Sequence, residues 1–191
     1  MMNLPNQLSF LRIILTPVFI LLLFADNDLL RIGSFVVFTI AALTDWYDGY
    51  TARKYGDIST FGKFLDPLAD KILILSAFVC FSLLGYIHFW MVLVIIVRDV
   101  IVTTLRIYAT LKGKPIVTNM FAKIKTVGQF IVIYLIFLIY LVLKANLTGG
   151  IFSAFHFIFE QNIILVLMII ITAVTVLSGI LYLIENRNHY R

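Results

Sequence analysis

Charge is what this 191-residue chain has least of. Asp, Glu, Lys and Arg make up 13% of it, while 62% is hydrophobic and the mean hydropathy is +1.04. A soluble domain is about one quarter charged. The polar surface needed to cover a water-soluble globule is missing, which excludes an ordinary cytosolic enzyme, a secreted domain and a disordered tail. The single cysteine, Cys80, cannot form an internal disulfide; it stands in an apolar run and is expected to be a packing residue. His88, His156 and His189 are scattered without ligand spacing, so no histidine metal site is expected. Internal repeats and low-complexity stretches are also lacking.

What remains is an all-α, polytopic membrane protein forming one domain over residues 1–191. Six apolar segments stand out: 9–24, 32–52, 64–85, 90–111, 127–143 and 163–184. Each approaches the roughly 20 residues that cross a bilayer. Pro17 would bend the first, which membrane helices tolerate. No small-x-small cleavage site follows Phe24, so this segment is expected to be retained. Six spans put both termini on one side. That side collects all of the 15 cations except Arg31 and Lys144, and is therefore expected to be cytoplasmic. The net charge of +5 then points to anionic lipid or phosphate as partner, and away from nucleic acid. Residues 147–160 are aromatic-rich with a Thr-Gly-Gly break and are expected in the outer interface. Trp46 and Trp90 are expected to be interface anchors.

Acids are costly in such a chain, yet Asp45, Asp48, Asp66 and Asp70 gather at the cytoplasmic end of the second segment and the start of the third. On a helix, positions 45, 48, 49 and 52 share one face, and 62, 66 and 70 share another. A short turn, about residues 54–59, would bring the two helix ends together. An acid at a helix centre costs about 2.5–3.5 kcal/mol, less near the interface, and four like charges repel. Divalent cations offset both costs, and clustered oxygens suit Mg²⁺ or Mn²⁺. Two ions about 3.5–4 Å apart are the usual arrangement for displacement at phosphorus. Asp57 is expected to be a solvated loop residue. A proton or ion path through a small cation transporter would also use such acids, although six unrepeated spans do not match the inverted repeats common in transporters.

Asp45-x2-Asp48-Gly49-x2-Ala52-Arg53-x8-Gly62-x3-Asp66-x3-Asp70 resembles the signature of the CDP-alcohol phosphatidyltransferases, with every fixed position filled. The resemblance implies a six-helix membrane enzyme, usually a homodimer, with a cytoplasm-facing site. It implies metal ligation by Asp45, Asp48, Asp66 and Asp70, with Asp70 also the general base. It implies CDP binding by Gly49, Ala52, Arg53, Ser59 and Gly62, with Arg53 on the pyrophosphate. The donor would be CDP-diacylglycerol.

The acceptor depends on a second region. Arg98-Asp99 lies deep in the fourth segment, Arg106 follows on the Asp99 face, and Lys123 and Lys125 open the fifth. Such cations suit an acceptor carrying its own phosphate; Arg98 with Asp99 can equally be a buried structural pair. Lys112 and Lys114 are expected to be positive-inside residues. The opening Asn3–Arg12 stretch, the Arg98–Arg106 segment and Lys123-Ile-Lys125-Thr126 resemble the bacterial branch that forms phosphatidylglycerophosphate. That resemblance implies sn-glycerol 3-phosphate as acceptor and the bacterial inner membrane as location. Asp99 departs from it, since the branch often has glutamate there. Inositol phosphate and phosphatidylglycerol remain alternative acceptors.

Overall fold

An apolar run about 20 residues long has one way to satisfy its own backbone away from water, the α-helix. The computed structural model of the chain is built accordingly. It describes residues 4–55, 62–111, 120–144 and 162–185, with side-chain detail for 7–44, 68–109, 124–144 and 162–184. Among the described residues there are six helices and no strand: α1 (Leu4–Leu23), α2 (Asp28–Tyr55), α3 (Gly62–Leu83), α4 (Phe89–Leu111), α5 (Met120–Lys144) and α6 (Ile163–Glu185).

Each expected apolar segment falls on one of these helices, and most of the helices outrun it. Propagation needs one backbone hydrogen bond per residue and no particular hydrophobicity. So α2 continues past Ala52, and Lys54 and Tyr55, expected in a turn, are its last residues. Two stretches, Ile124–Lys144 and Ile163–Ile184, are long and apolar enough to cross a membrane, with 21 and 22 residues. At 1.5 Å per residue each spans about 30 Å. The outward positions of α6, among them Val166, Ile169, Ile170, Leu177, Ile180 and Ile184, are exposed and apolar. A helix that is apolar outside as well as inside suits hydrocarbon as its solvent. The expected interface stretch 147–160 lies outside the described residues.

The chain separates into two compact units, Met1–Ala77 and Phe78–Arg191. In the first, residues 24–27 join α1 to α2. Asn27 starts α2: its side-chain oxygen accepts the Leu29 N–H at 2.8 Å and its carbonyl accepts the Arg31 N–H at 3.0 Å. This satisfies donors that a helix start otherwise leaves orphaned. Arg31 reaches back to Asp28 at 2.8 Å and Asp26 at 3.4 Å, so neighbouring acids offset this cation. The buried stripe of α1 is Ser9, Arg12, Thr16, Phe19 and Leu23, in helical steps of three and four. Its apolar half packs on α2 through Phe19 and Phe38, with ring centroids 5.4 Å apart. Its polar half lies toward the N-terminus, where the Thr16 hydroxyl donates to the Arg12 carbonyl at 2.9 Å.

In the second unit an aromatic cluster ties the end of α3 to α5. Phe81 meets Phe137 edge-on at 5.1 Å, and Tyr86 meets Tyr140 at 5.9 Å. Burial, and then Tyr140 beside it, push the Tyr86 phenol above its ordinary range. The chain reaches this cluster through a sharp helix stop. The Tyr86 N–H donates to the Phe81 carbonyl and the Gly85 N–H to the Ser82 carbonyl, both at 3.0 Å, with Gly85 at φ 82°. This is the Schellman geometry, which needs a left-handed residue just past the helix. It ends α3 at Leu83, before the apolar pattern itself runs out.

A Cβ on Gly85 would meet nothing within 4 Å, so only its backbone conformation selects glycine. Gly85→Ala should therefore destabilise the second unit by about 1 kcal/mol, and Gly85→Asn by less, because Asn tolerates left-handed φ. Thermal unfolding in detergent micelles measures both. Equal stability of all three proteins would remove the helix stop from the account.

Candidate functional site

The acidic signature occupies two consecutive helix ends of the first unit. Asp45, Asp48, Gly49, Ala52 and Arg53 lie toward the C-terminus of α2, and Gly62, Asp66 and Asp70 begin α3. The expected registers, 45-48-49-52 and 62-66-70, thus each fall on one unbroken helix. Asp57 and Ser59 lie outside the described residues, as do the side chains of Asp45, Asp48, Ala52, Arg53 and Asp66. The Asp70 side chain is described: it is 24% exposed, with Lys71 Nζ 3.3 Å from one carboxylate oxygen. Ala69 before it is buried and Leu68 exposed, so Asp70 stands at the border of the packed face of α3. Four aspartates offer oxygen donors alone, the set that hard divalent ions take. Among the described side chains, no group of three His, Cys, Asp or Glu is placed to hold a metal, and three of the four signature aspartates lie outside that set.

The second constellation lies wholly in the second unit and joins three helices. Asp99 of α4 is fully buried, at 0% side-chain exposure. It accepts from Arg98 Nη1 at 2.9 Å, and Lys125 of α5 donates to both its carboxylate oxygens. Lys125 is itself 2% exposed. Arg98 also reaches α6, where Nη2 donates to Ser178 Oγ at 2.8 Å. The Ser178 hydroxyl in turn donates to the Thr175 carbonyl at 2.9 Å. An isolated buried carboxylate would be prohibitive; one that accepts from a guanidinium and an ammonium is tolerated.

The structure therefore brings Arg98 and Lys125 together on one acid, and Arg98 spends both terminal nitrogens on protein partners. Arg106 lies two turns beyond Asp99 on the same face of α4, about 10 Å along the axis. Lys123 is in the first turn of α5, its side chain outside the described detail; Lys112 and Lys114 lie outside the described residues. Sequence reasoning missed Ser178 and Gly179. The available signal was a pair of small residues, one of them polar, inside the mainly apolar α6, the composition that lets membrane helices approach closely and bond across.

Comparison with known proteins agrees with the signature. The family model for CDP-alcohol phosphatidyltransferase matches residues 2–184. A Bacillus subtilis CDP-diacylglycerol–glycerol-3-phosphate 3-phosphatidyltransferase is 39% identical over 145 residues, covering 70% of this chain and 75% of that protein. An Escherichia coli protein of the same name is 33% identical over 135 residues, covering 68% and 73%. A probable phosphatidylglycerophosphate synthase of Mycobacterium tuberculosis is 39% identical over 134 residues, covering 69% of this chain and 64% of its own length.

The buried junction has an asymmetry that stability measurements can read. Asp99 serves two cations, whereas removing Lys125 leaves Asp99 with Arg98. Asp99→Asn should cost about 3 kcal/mol or more, and Lys125→Met clearly less. Unfolding midpoints in micelles give the order, and the reverse order would place the junction's energy elsewhere.

Proposed function

We propose the reaction from one premise: the chain belongs to the CDP-alcohol phosphatidyltransferase family. It transfers the phosphatidyl group of CDP-diacylglycerol to sn-glycerol 3-phosphate, forming phosphatidylglycerophosphate and CMP. The observation that carries the donor chemistry is the complete signature on the adjoining ends of α2 and α3. The acceptor is supported by relatives named for glycerol 3-phosphate and by the cations along α4 and α5.

The residues divide the work. Arg53 pairs with the pyrophosphate of the donor, and Gly49, Ala52, Ser59 and Gly62 leave room for the cytidine against the backbone. Asp70, at the edge of the packed face, takes the proton of the acceptor's 1-hydroxyl. That oxygen bonds to the phosphatidyl phosphorus while the bond to the CMP phosphate breaks, and CMP departs with the electron pair. Asp45, Asp48, Asp66 and Asp70 would hold two Mg²⁺ or Mn²⁺ ions, the usual number for displacement at phosphorus; when bound, the ions would neutralise the anhydride's charge. Lys125, Lys123 and Arg106 face the acceptor's phosphate, with Arg98 beside Lys125. Because the phosphoanhydride is already a good electrophile, positioning and electrostatics provide most of the acceleration.

The same reading gives six spans, both termini and the active site at the cytoplasmic face of a bacterial inner membrane, and a homodimer among lipids. The two long apolar helices and the acid-paired Arg31 support the membrane placement.

With CDP-diacylglycerol and Mg²⁺, purified protein should release CMP with glycerol 3-phosphate and not with inositol phosphate, serine or phosphatidylglycerol. Asp70→Asn should abolish release while retaining binding of the CDP-lipid. Turnover with inositol phosphate alone would replace the acceptor, and near-normal turnover of the variant would remove Asp70 as base.

A further inference from the structure

The cations of α4 and α5 have a support that the signature does not contain. A lysine side chain carries about 2 kcal/mol of rotamer entropy, so an ammonium that must meet a phosphate at a fixed place has to be held there. Lys125 is held by both oxygens of Asp99. Asp99 is held by Arg98, and Arg98 by Ser178. The direction of the last bond is fixed as well. The Ser178 hydroxyl hydrogen goes to the Thr175 carbonyl, which turns an oxygen lone pair toward Arg98. The chain of contacts thus ends on helix backbone, where no rotor remains.

Gly179 gives Arg98 its path to that serine. A Cβ on Gly179 would stand 3.0 Å from Arg98 Cγ and 3.1 Å from Nε. The Arg98 stem therefore lies directly against the α6 backbone. The surrounding walls are apolar, formed by Val94, Val97 and Ile101 of α4 and by Val176 and Ile180 of α6. Nothing in those walls could replace the Ser178 hydroxyl as a partner. We propose that Ser178 and Gly179 are positioning residues for the acceptor: together they seat Arg98, which sets Asp99, which aims Lys125. Arg98 then acts through Asp99 and does not itself touch the phosphate. This rests on the assignment of Lys125 to the acceptor under the proposed function.

The test is steady-state kinetics with both substrates varied. Gly179→Ala should raise KM for glycerol 3-phosphate roughly tenfold, with KM for CDP-diacylglycerol and the saturated rate changed less than about twofold. Ser178→Ala, close to isosteric, should shift the same constant in the same direction by a smaller factor. In an Arg98→Lys background, Gly179→Ala should add less than about twofold, because the guanidinium that links Ser178 to Asp99 is already gone. Additive effects, equal losses for both substrates, or an unchanged acceptor KM in both single variants would overturn the proposal. Failure of the underlying reaction is separate, since wild-type protein would then release no CMP with glycerol 3-phosphate. If the wild type turns over another phosphorylated acceptor, the same variants are read on that acceptor with the same expectations.

Discussion

Taking a carboxylate or an ammonium out of water costs several kcal/mol, and a chain with this little polar surface must recover that cost locally. Three groups of described charges reflect this constraint. Arg31 sits against Asp26 and Asp28 beside the α1–α2 connection. Asp99 gathers Arg98 and Lys125 from two helices. Asp70 has Lys71. The acids at the consecutive ends of α2 and α3 outnumber the cations of the signature, an excess that the proposed binding of divalent ions and a pyrophosphate would offset. The same rule that limits charge therefore marks where the chemistry is.

The two units use the rule differently. In the first, the signature acids stand at helix ends. In the second, the ion cluster is packed between α4, α5 and α6, and its order comes from its hydrogen bonds: Asp99 accepts from two cations, and Ser178 is fixed by Thr175. Buried ionic groups contribute little net stability compared with an apolar core, but they fix which atoms face which. In the proposed function, that property sets where the acceptor phosphate sits. Exposed apolar positions of α6 such as Ile169, Leu177 and Ile184 carry none of this.

Much of this was legible in the sequence for a physical reason. Composition set the helical class, because hydrocarbon permits little else, and the positions of Asp45 to Asp70 set the signature because helix periodicity converts spacing into a face. Helix ends were less legible. Tyr55 closes α2 although the apolar run stops at Ala52, and α3 ends at a left-handed Gly85 that hydropathy does not register. The Arg98–Asp99 pair could be suspected from adjacency. Its links to Lys125 and Ser178 could not, because 26 and 80 residues separate the partners and only the packing of α4, α5 and α6 joins them. Gly179 was visible only as a small residue in an apolar helix, since its role depends on the side chain that crosses it.

Ion binding tests most directly whether the clustered acids exist to hold metal. Mn²⁺ titrated into the purified protein with CDP-diacylglycerol, with free ion followed by electron paramagnetic resonance, should show about two ions bound per chain. Asp45→Asn and Asp66→Asn should each lose tight binding while the protein stays helical. Wild-type protein that leaves all the Mn²⁺ free, or variants that bind it as the wild type does, would contradict the central claim.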